Sequence, residues 1–204
     1  MNRKGILFVM TGASGVGKDT LRQAALADVD NLFFSISATT RAKRPGETHG
    51  KQYFFYDRTH FEVLVANDGL LEHADYVGDY YGTPAQPVLD ALEQGRDVLL
   101  EVELVGARKV KERLQDAVMI FIAPPTLVEL ERRLRGRGTD SEEKVQKRLS
   151  RAREEIKAVT EFDYVVVNDL LSSAADTFRS VIVAERARAT HLTSQDVALF
   201  LKEL

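Results

Sequence analysis

Between Gly5 and Leu21 the chain reads GILFVMTGASGVGKDTL, and its glycines and lysine are spaced for one kind of chemistry. Gly12, Gly17 and Lys18 fit G-x-x-x-x-G-K, the pattern of a loop that wraps phosphate between a strand and a helix. Glycines let backbone N–H groups turn inward around an anion without Cβ clashes, and the helix that follows points its positive end at the same charge. Lys18 adds a point charge able to reach the outer phosphates of a nucleotide. The expected cradle is therefore Gly12, Ala13, Ser14, Gly15, Val16, Gly17, Lys18, Asp19 and Thr20. The last motif position is ordinarily Ser or Thr, whose hydroxyl ligates Mg²⁺; here Asp19 stands there and Thr20 follows. A carboxylate is also a hard oxygen donor, so Asp19 or Thr20 is the expected Mg²⁺ contact.

Three further groups have the residue types for phosphate chemistry. Arg41 and Arg44 follow Thr39-Thr40 in a polar loop, and two guanidiniums with two hydroxyls suit a phosphate monoester dianion. A solvated basic loop has the same composition. Glu101 and Glu103 lie two apart on an apolar run, hence on one face of a strand, and would need a cation or donors there unless they have cleared the sheet edge. Arg132, Arg133, Arg135, Arg137, Arg148, Arg151 and Arg153 flank the glycine-broken segment LRGRGTD. Some pair with nearby glutamates on helix faces; the arrangement also reads as a lid that carries charge over a transferring phosphoryl group. His49, His60, His73 and His191 show no metal-ligand spacing.

The elements that must position these groups follow from hydrophobic patterning. Apolar runs at 6–10, 32–38, 97–104, 118–123 and 164–167 read as strands, alternating with helices at 21–28, 84–94, 107–114, 141–158 and 174–188. That alternation predicts an α/β fold, a parallel five-stranded sheet with helices on both faces, whose ligands bind at the carboxyl ends of the strands. The middle region differs, with short strands, aromatics and a helix opening at Thr59 with Glu62 as a capping box. It reads as an inserted lobe at about 39–83, the core being 1–38 and 84–204 and the lid about 134–153. A last amphipathic helix is expected at 193–204, with Val197, Phe200, Leu201 and Leu204 on one side.

The 204-residue composition is that of a globular domain, 44% hydrophobic and 29% charged. A net charge of −3 argues against general nucleic-acid or anionic-membrane binding. With no cysteine, disulfides, thiol catalysis and cysteine metal sites are excluded. The run after Met1-Asn2-Arg3-Lys4 ends within about five residues, short of the roughly 7–15 of a signal peptide. A cytoplasmic protein with neither a nucleic-acid nor a membrane partner is the expectation.

Taken together, the loop, SISATTRAKRPGETHGKQY (35–53), LEHADYVGDYYGTP (71–84), IAPPTLVELERRLRGRGTDSEEKVQKR (122–148) and VVVND (165–169) resemble the guanylate kinase family. The spacings S-x-S-x-T-T-R-x-x-R-x-G-E-x-x-G-x-x-Y and E-x(8)-Y-G-T carry the resemblance, which spans residues 5 to about 188. It implies transfer of the γ-phosphoryl group of ATP to GMP with Mg²⁺. It places Ser37, Glu72 and Thr83 on guanine, with Glu101 and Glu103 at the acceptor. Arg41, Arg44, Tyr53 and Tyr81 fall on the GMP phosphate. Lys18, Arg137 and Arg148, with Arg41, attend the transferring group, and Arg133 and Asn168 lie near the ATP adenine. Two positions depart from the family pattern: Asp19 replaces Ser or Thr, and Glu101-Val102-Glu103 replaces Asp-x-Asp. Two rival readings share parts of the pattern. One is a kinase of another phosphorylated acceptor, such as ribose 1,5-bisphosphate; the other is a non-catalytic guanylate-kinase-like binding module.

Overall fold

The computed structural model describes residues 3–27, 29–76, 78–136, 138, 140–192 and 194–202. A five-stranded sheet has the order β2-β7-β1-β8-β9, made by β1 (Leu7–Gly12), β2 (Leu32–Phe34), β7 (Asp97–Glu101), β8 (Val118–Ala123) and β9 (Tyr164–Val167). It is parallel, with Leu32 opposite Asp97 in one pair and Ile120 opposite Tyr164 in another. A second, mixed sheet has the order β4-β3-β6-β5, from β3 (Ala38–Thr39), β4 (Phe54–Phe55), β5 (Leu70–Tyr76) and β6 (Asp79–Pro84). The expected fold class is therefore present. Its strands β1 and β8 are buried almost throughout, which is why they read as unbroken apolar runs rather than alternating ones.

The chain divides into two compact units, one of Met10–Asn31 with Val118 onward and one of Lys4–Val9 with Leu32–Ala117. The first holds α1 (Lys18–Leu26), β8, α5 (Leu127–Gly136), α6 (Glu142–Lys157), β9 and α7 (Leu171–Arg186). In it α1 packs on α7 and α5 on α6. Leu21, Leu130, Leu134, Leu149, Phe178 and Ile182 are buried at helical spacing on those helices. The second unit holds the mixed sheet with α2 (Arg58–Ala66), α3 (Ala85–Glu93) and α4 (Leu104–Arg113), all three against β5. Phe61, Ala38 and Leu70 form a small core there, walled by Phe54, Tyr56, Leu64 and Tyr80.

Several local expectations shift. The strand expected over 32–38 is two strands in two different sheets. The turn between them is held at both ends, by Ser35 N–H on Leu99 O (3.0 Å) and by Phe54 N–H on Ser37 O (2.9 Å). The cap of α2 is Asp57, whose carboxylate accepts from His60 N–H at 2.7 Å, rather than Thr59. β7 ends at Glu101, so Glu101 and Glu103 do not share a strand. Glu103 is the residue before α4, and that helix starts at Leu104 instead of Ala107. The carboxyl-terminal helix is α8 (Ser194–Phe200); Val197, Phe200 and Leu201 are exposed, while Thr193 and Leu204 lie outside the described residues. Among the described residues no helix is long and apolar enough to cross a membrane.

Candidate active site

The phosphate loop leaves β1 at Gly12 and enters α1 at Lys18. Gly17, the residue before the helix, has φ +93°, a left-handed backbone that a side chain would strain. At Gly12 the constraint is space, since a Cβ there would lie 2.3 Å from Ile122 O. The loop is shaped by its own bonds. Ala13 N–H donates to Ile122 O (3.3 Å) and Val16 N–H to Ala13 O (3.1 Å), and Lys18 Nζ donates to Gly12 O (2.9 Å). Ser14 N–H donates to a carboxylate of the protein itself, Glu155 Oε2, at 2.9 Å.

Beside the loop is a cavity of about 460 Å³ lined by Gly15, Val16, Gly17, Thr20, Arg133 and Asn168, among others. Asn168 follows the end of β9, is buried, and its Nδ2 donates to Val16 O at 2.8 Å. Arg133 on α5 donates Nη1–H to Asn168 O (2.7 Å) and Nε–H to Glu129 Oε1 (2.7 Å). Hydrogen bonds from Arg132 and Arg133 hold the Glu129 carboxyl well below its usual range, at about 2. Arg133 and Asn168 thus share one wall with the glycine loop. Asp19 does not line this cavity; its carboxylate is 80% exposed and lies 3.4 Å from Arg22. Arg148 on α6 pairs with Asp140 at 2.9 Å, and Asp140 also takes Lys144 at 2.5 Å. Arg137 lies outside the described residues.

The second unit assembles a different set. Thr83 Oγ1 donates to Glu72 Oε1 at 2.8 Å across β5 and β6, and both residues are buried. Burial pushes the Glu72 carboxyl above the ordinary carboxylate range, with the Thr83 hydrogen bond and Lys109 opposing and Glu103 reinforcing. The carboxylate rests against the first turn of α4. A Cβ on Gly106 would stand 2.8 Å from Glu72 Oε2 and 3.2 Å from its Cδ. Ser37, the third expected guanine contact, is half-buried between β2 and β3.

Arg41 lies over the Tyr53 ring, 5.6 Å from its centroid, and the Tyr53 and Tyr81 rings meet edge-on at 6.0 Å. Its Nη2–H donates to Glu47 Oε1 at 2.8 Å and its Nη1–H to Ala42 O at 2.8 Å. Glu47 Oε2 accepts from Arg44 N–H at 2.7 Å, while Arg44 itself is exposed. The Arg41 guanidinium holds the Glu47 carboxyl below its ordinary value, and Arg44 N–H adds to the effect. A cavity of about 240 Å³ is lined by Glu72 itself with Asp68, Lys109, Glu112 and Arg113, among others, and not by Ser37, Thr83 or Tyr81. Glu47, Gly106 and Glu155 touch Arg41, Glu72 and Ser14 respectively, and sequence reasoning did not single them out. Only Glu47, at the end of the R-x-x-R-P-G-E turn, left a local signal.

The model of the guanylate kinase family matches residues 4–185. A guanylate kinase of Thermus thermophilus is 56% identical over 186 residues, covering 91% of this chain and 84% of that protein. One from Lactococcus lactis is 46% identical over 197 residues, covering 97% and 96%. The chain belongs to the guanylate kinase family. It is an enzyme of that family, and the crystal structure of the guanylate kinase from Anaplasma phagocytophilum has a similar fold. That likeness has a TM-score of 0.74 at 33% identity and covers 93% of this chain and 90% of that one.

Proposed function

We propose that this guanylate kinase transfers the γ-phosphoryl group of ATP to GMP, releasing ADP and GDP. The observation that carries the acceptor's identity is the buried Glu72 carboxylate held by Thr83. Guanine presents N1–H and a 2-amino group side by side, and one carboxylate accepts from both. Adenine offers a lone pair at N1 and leaves the carboxylate unpaired. A buried polar group left unpaired is costly, so such a site rejects the wrong base by about 10⁴-fold where fully realised.

In this reading Ser37, Glu72 and Thr83 hold guanine, with Glu101 and Glu103 beside them. Arg41 and Arg44 grip the GMP phosphate with Tyr53 and Tyr81, charge-assisted forks being well matched to phosphate oxygens. The loop amides and Lys18 hold the ATP phosphates, and Arg133 and Asn168 flank the adenine. A GMP phosphate oxygen attacks the γ-phosphorus in line; already anionic, it needs no general base. Lys18, Arg137 and Arg148 neutralise charge on the transferring group, where positioning and electrostatics supply nearly all the catalysis.

Mg²⁺ belongs to the same proposal. Bound Mg²⁺ neutralises charge on the ATP phosphates. Among the described residues no group of three or more His, Asp or Glu is placed to hold a metal ion. Mg²⁺ needs only one or two protein oxygens when phosphates and water supply the rest. Thr20, which lines the cavity, fits that role better than Asp19, which faces Arg22.

The test is ADP release with ATP and, in turn, GMP, AMP, CMP and ribose 1,5-bisphosphate. Preferred turnover of GMP is expected. Preference for another acceptor removes the assignment, and GMP binding without ATP binding in calorimetry leaves a binding module.

A further inference from the structure

The phosphate loop spends one of its amides on the protein's own carboxylate. Glu155 sits near the end of α6 and is only 8% exposed. Its Oε2 accepts from Ser14 N–H at 2.9 Å, and its Oε1 accepts from Arg151 Nε–H at 2.8 Å. A buried carboxylate is costly without such partners. The bond to Ser14 joins residues 141 apart in sequence and ties the loop after β1 to a helix of the lid region.

That helix also carries Arg148. Seven residues separate Arg148 from Glu155, about two turns, so both lie on the same side of α6, roughly 10 Å apart along its axis. We propose that Glu155 is a positioning residue for phosphoryl transfer. Its carboxylate fastens the phosphate loop to α6, so that the loop and Arg148 keep a fixed relation when ATP binds. The proposal rests on the reading above, in which the loop holds ATP and Arg148 neutralises the transferring group. It adds a device that stabilises loop shape without touching substrate. Arg151 completes it by balancing the buried charge, which would otherwise repel the phosphates.

The experiment is steady-state kinetics and calorimetry of Glu155→Ala and Glu155→Gln, alone and combined with Arg148→Ala. Loss of a hydrogen bond to a charged group predicts that Glu155→Ala lowers kcat/KM for ATP on the order of 10- to 100-fold. GMP affinity, measured without ATP, stays at the wild-type value. Glu155→Gln, whose amide oxygen still accepts from Ser14 N–H, recovers most of the loss. In the Arg148→Ala background Glu155→Ala costs much less, because a shared function is non-additive. Wild-type kinetics with only a lowered Tm would make Glu155 merely structural and overturn the proposal. Additive losses, or tighter ATP binding by Glu155→Ala, would overturn it too, the latter marking a plug that phosphate displaces. If Glu155→Ala does not fold, Glu155→Asp withdraws the carboxylate by about one methylene, and the same kcat/KM loss and non-additivity are expected; wild-type kinetics there overturns the proposal. Wild-type protein that fails to turn over ATP with GMP sinks the functional reading, whereas active wild type with unaffected variants sinks only the role of Glu155.

Discussion

In the proposed reading the two anion cradles are built from opposite materials. The loop at 12–20 uses main-chain N–H groups, two glycines whose backbone or surroundings exclude a side chain, and one lysine. The lobe around Arg41 and Glu72 uses side chains on short strands and turns. Main-chain amides read charge and little else, which suits a phosphate tail common to all nucleotides. Carboxylates and guanidiniums in fixed places read hydrogen-bond pattern, which suits the choice of one base. Each cradle also carries an internal anion, and these differ. Glu155 is buried and reached over 141 residues; Glu47 is half-buried and six residues from Arg41.

The largest test of this contrast is Lys18→Ala. It should lower kcat by about 10³-fold, the size expected for a preorganised electrostatic group, with GMP affinity in calorimetry unchanged. A simultaneous loss of GMP binding would mean that the two cradles are not chemically separate.

Glu72→Gln comes next. The amide can accept from only one of the two guanine donors without opposing the other, so the GMP-over-AMP ratio of kcat/KM should fall by about 10²-fold or more. The same residue predicts a pH effect. Burial raises the Glu72 carboxyl above 4.5, and only its ionised form accepts from guanine. KM for GMP should therefore fall as pH rises through that raised value and level off above it, and Glu72→Gln should remove this component. The linkage runs the other way for stability. The folded state holds the proton more tightly, so Glu72 costs stability as pH rises above the unfolded value, and the cost is complete above the folded one. Glu72→Gln should flatten that slope in a pH series of Tm.

Gly106→Ala sharpens the contrast further because its two effects have opposite signs. In a helix the change favours stability by up to about 1 kcal/mol. Yet the new methyl would lie 2.8 Å from Glu72 Oε2, so the carboxylate must move. Guanine selectivity should drop about tenfold while Tm holds or rises, the loss being that of one charged hydrogen bond. Unchanged selectivity would show that Glu72 reads guanine from another position. The smallest effect is expected from Glu47→Ala, a few-fold rise in KM for GMP as Arg41 loses its support.

Much of this was legible before the fold. The phosphate loop is contiguous, so its residues and spacing declare it. Strands β8 and β9 have the expected bounds: β8 is an apolar run buried nearly throughout, and β9 is a β-branched run at the sheet edge with Val166 buried and Val165 and Val167 exposed. The helix expected from 141 is α6 with Ser141 as its cap, the side chain accepting from Lys144 N–H, and Thr126 accepts from Glu129 N–H ahead of α5, since capping is a three-residue affair. Where the reading slipped, a nearby competitor won. Asp57 displaced Thr59, and the start of α4 at Leu104 took Glu103 off the strand.

What the sequence determined by itself was whatever lies within one turn or one strand: the glycine loop, the arginine pair with its Pro-Gly turn, the alternation that makes a parallel sheet. Only the tertiary structure decided which distant groups share a bond or a volume. Glu155 on Ser14, Asn168 on Val16 and the missing side chain at Gly106 that admits Glu72 leave no local pattern. The physical reason is that hydrogen bonds and close packing act over about 3–4 Å in space, whatever the number of residues between the partners.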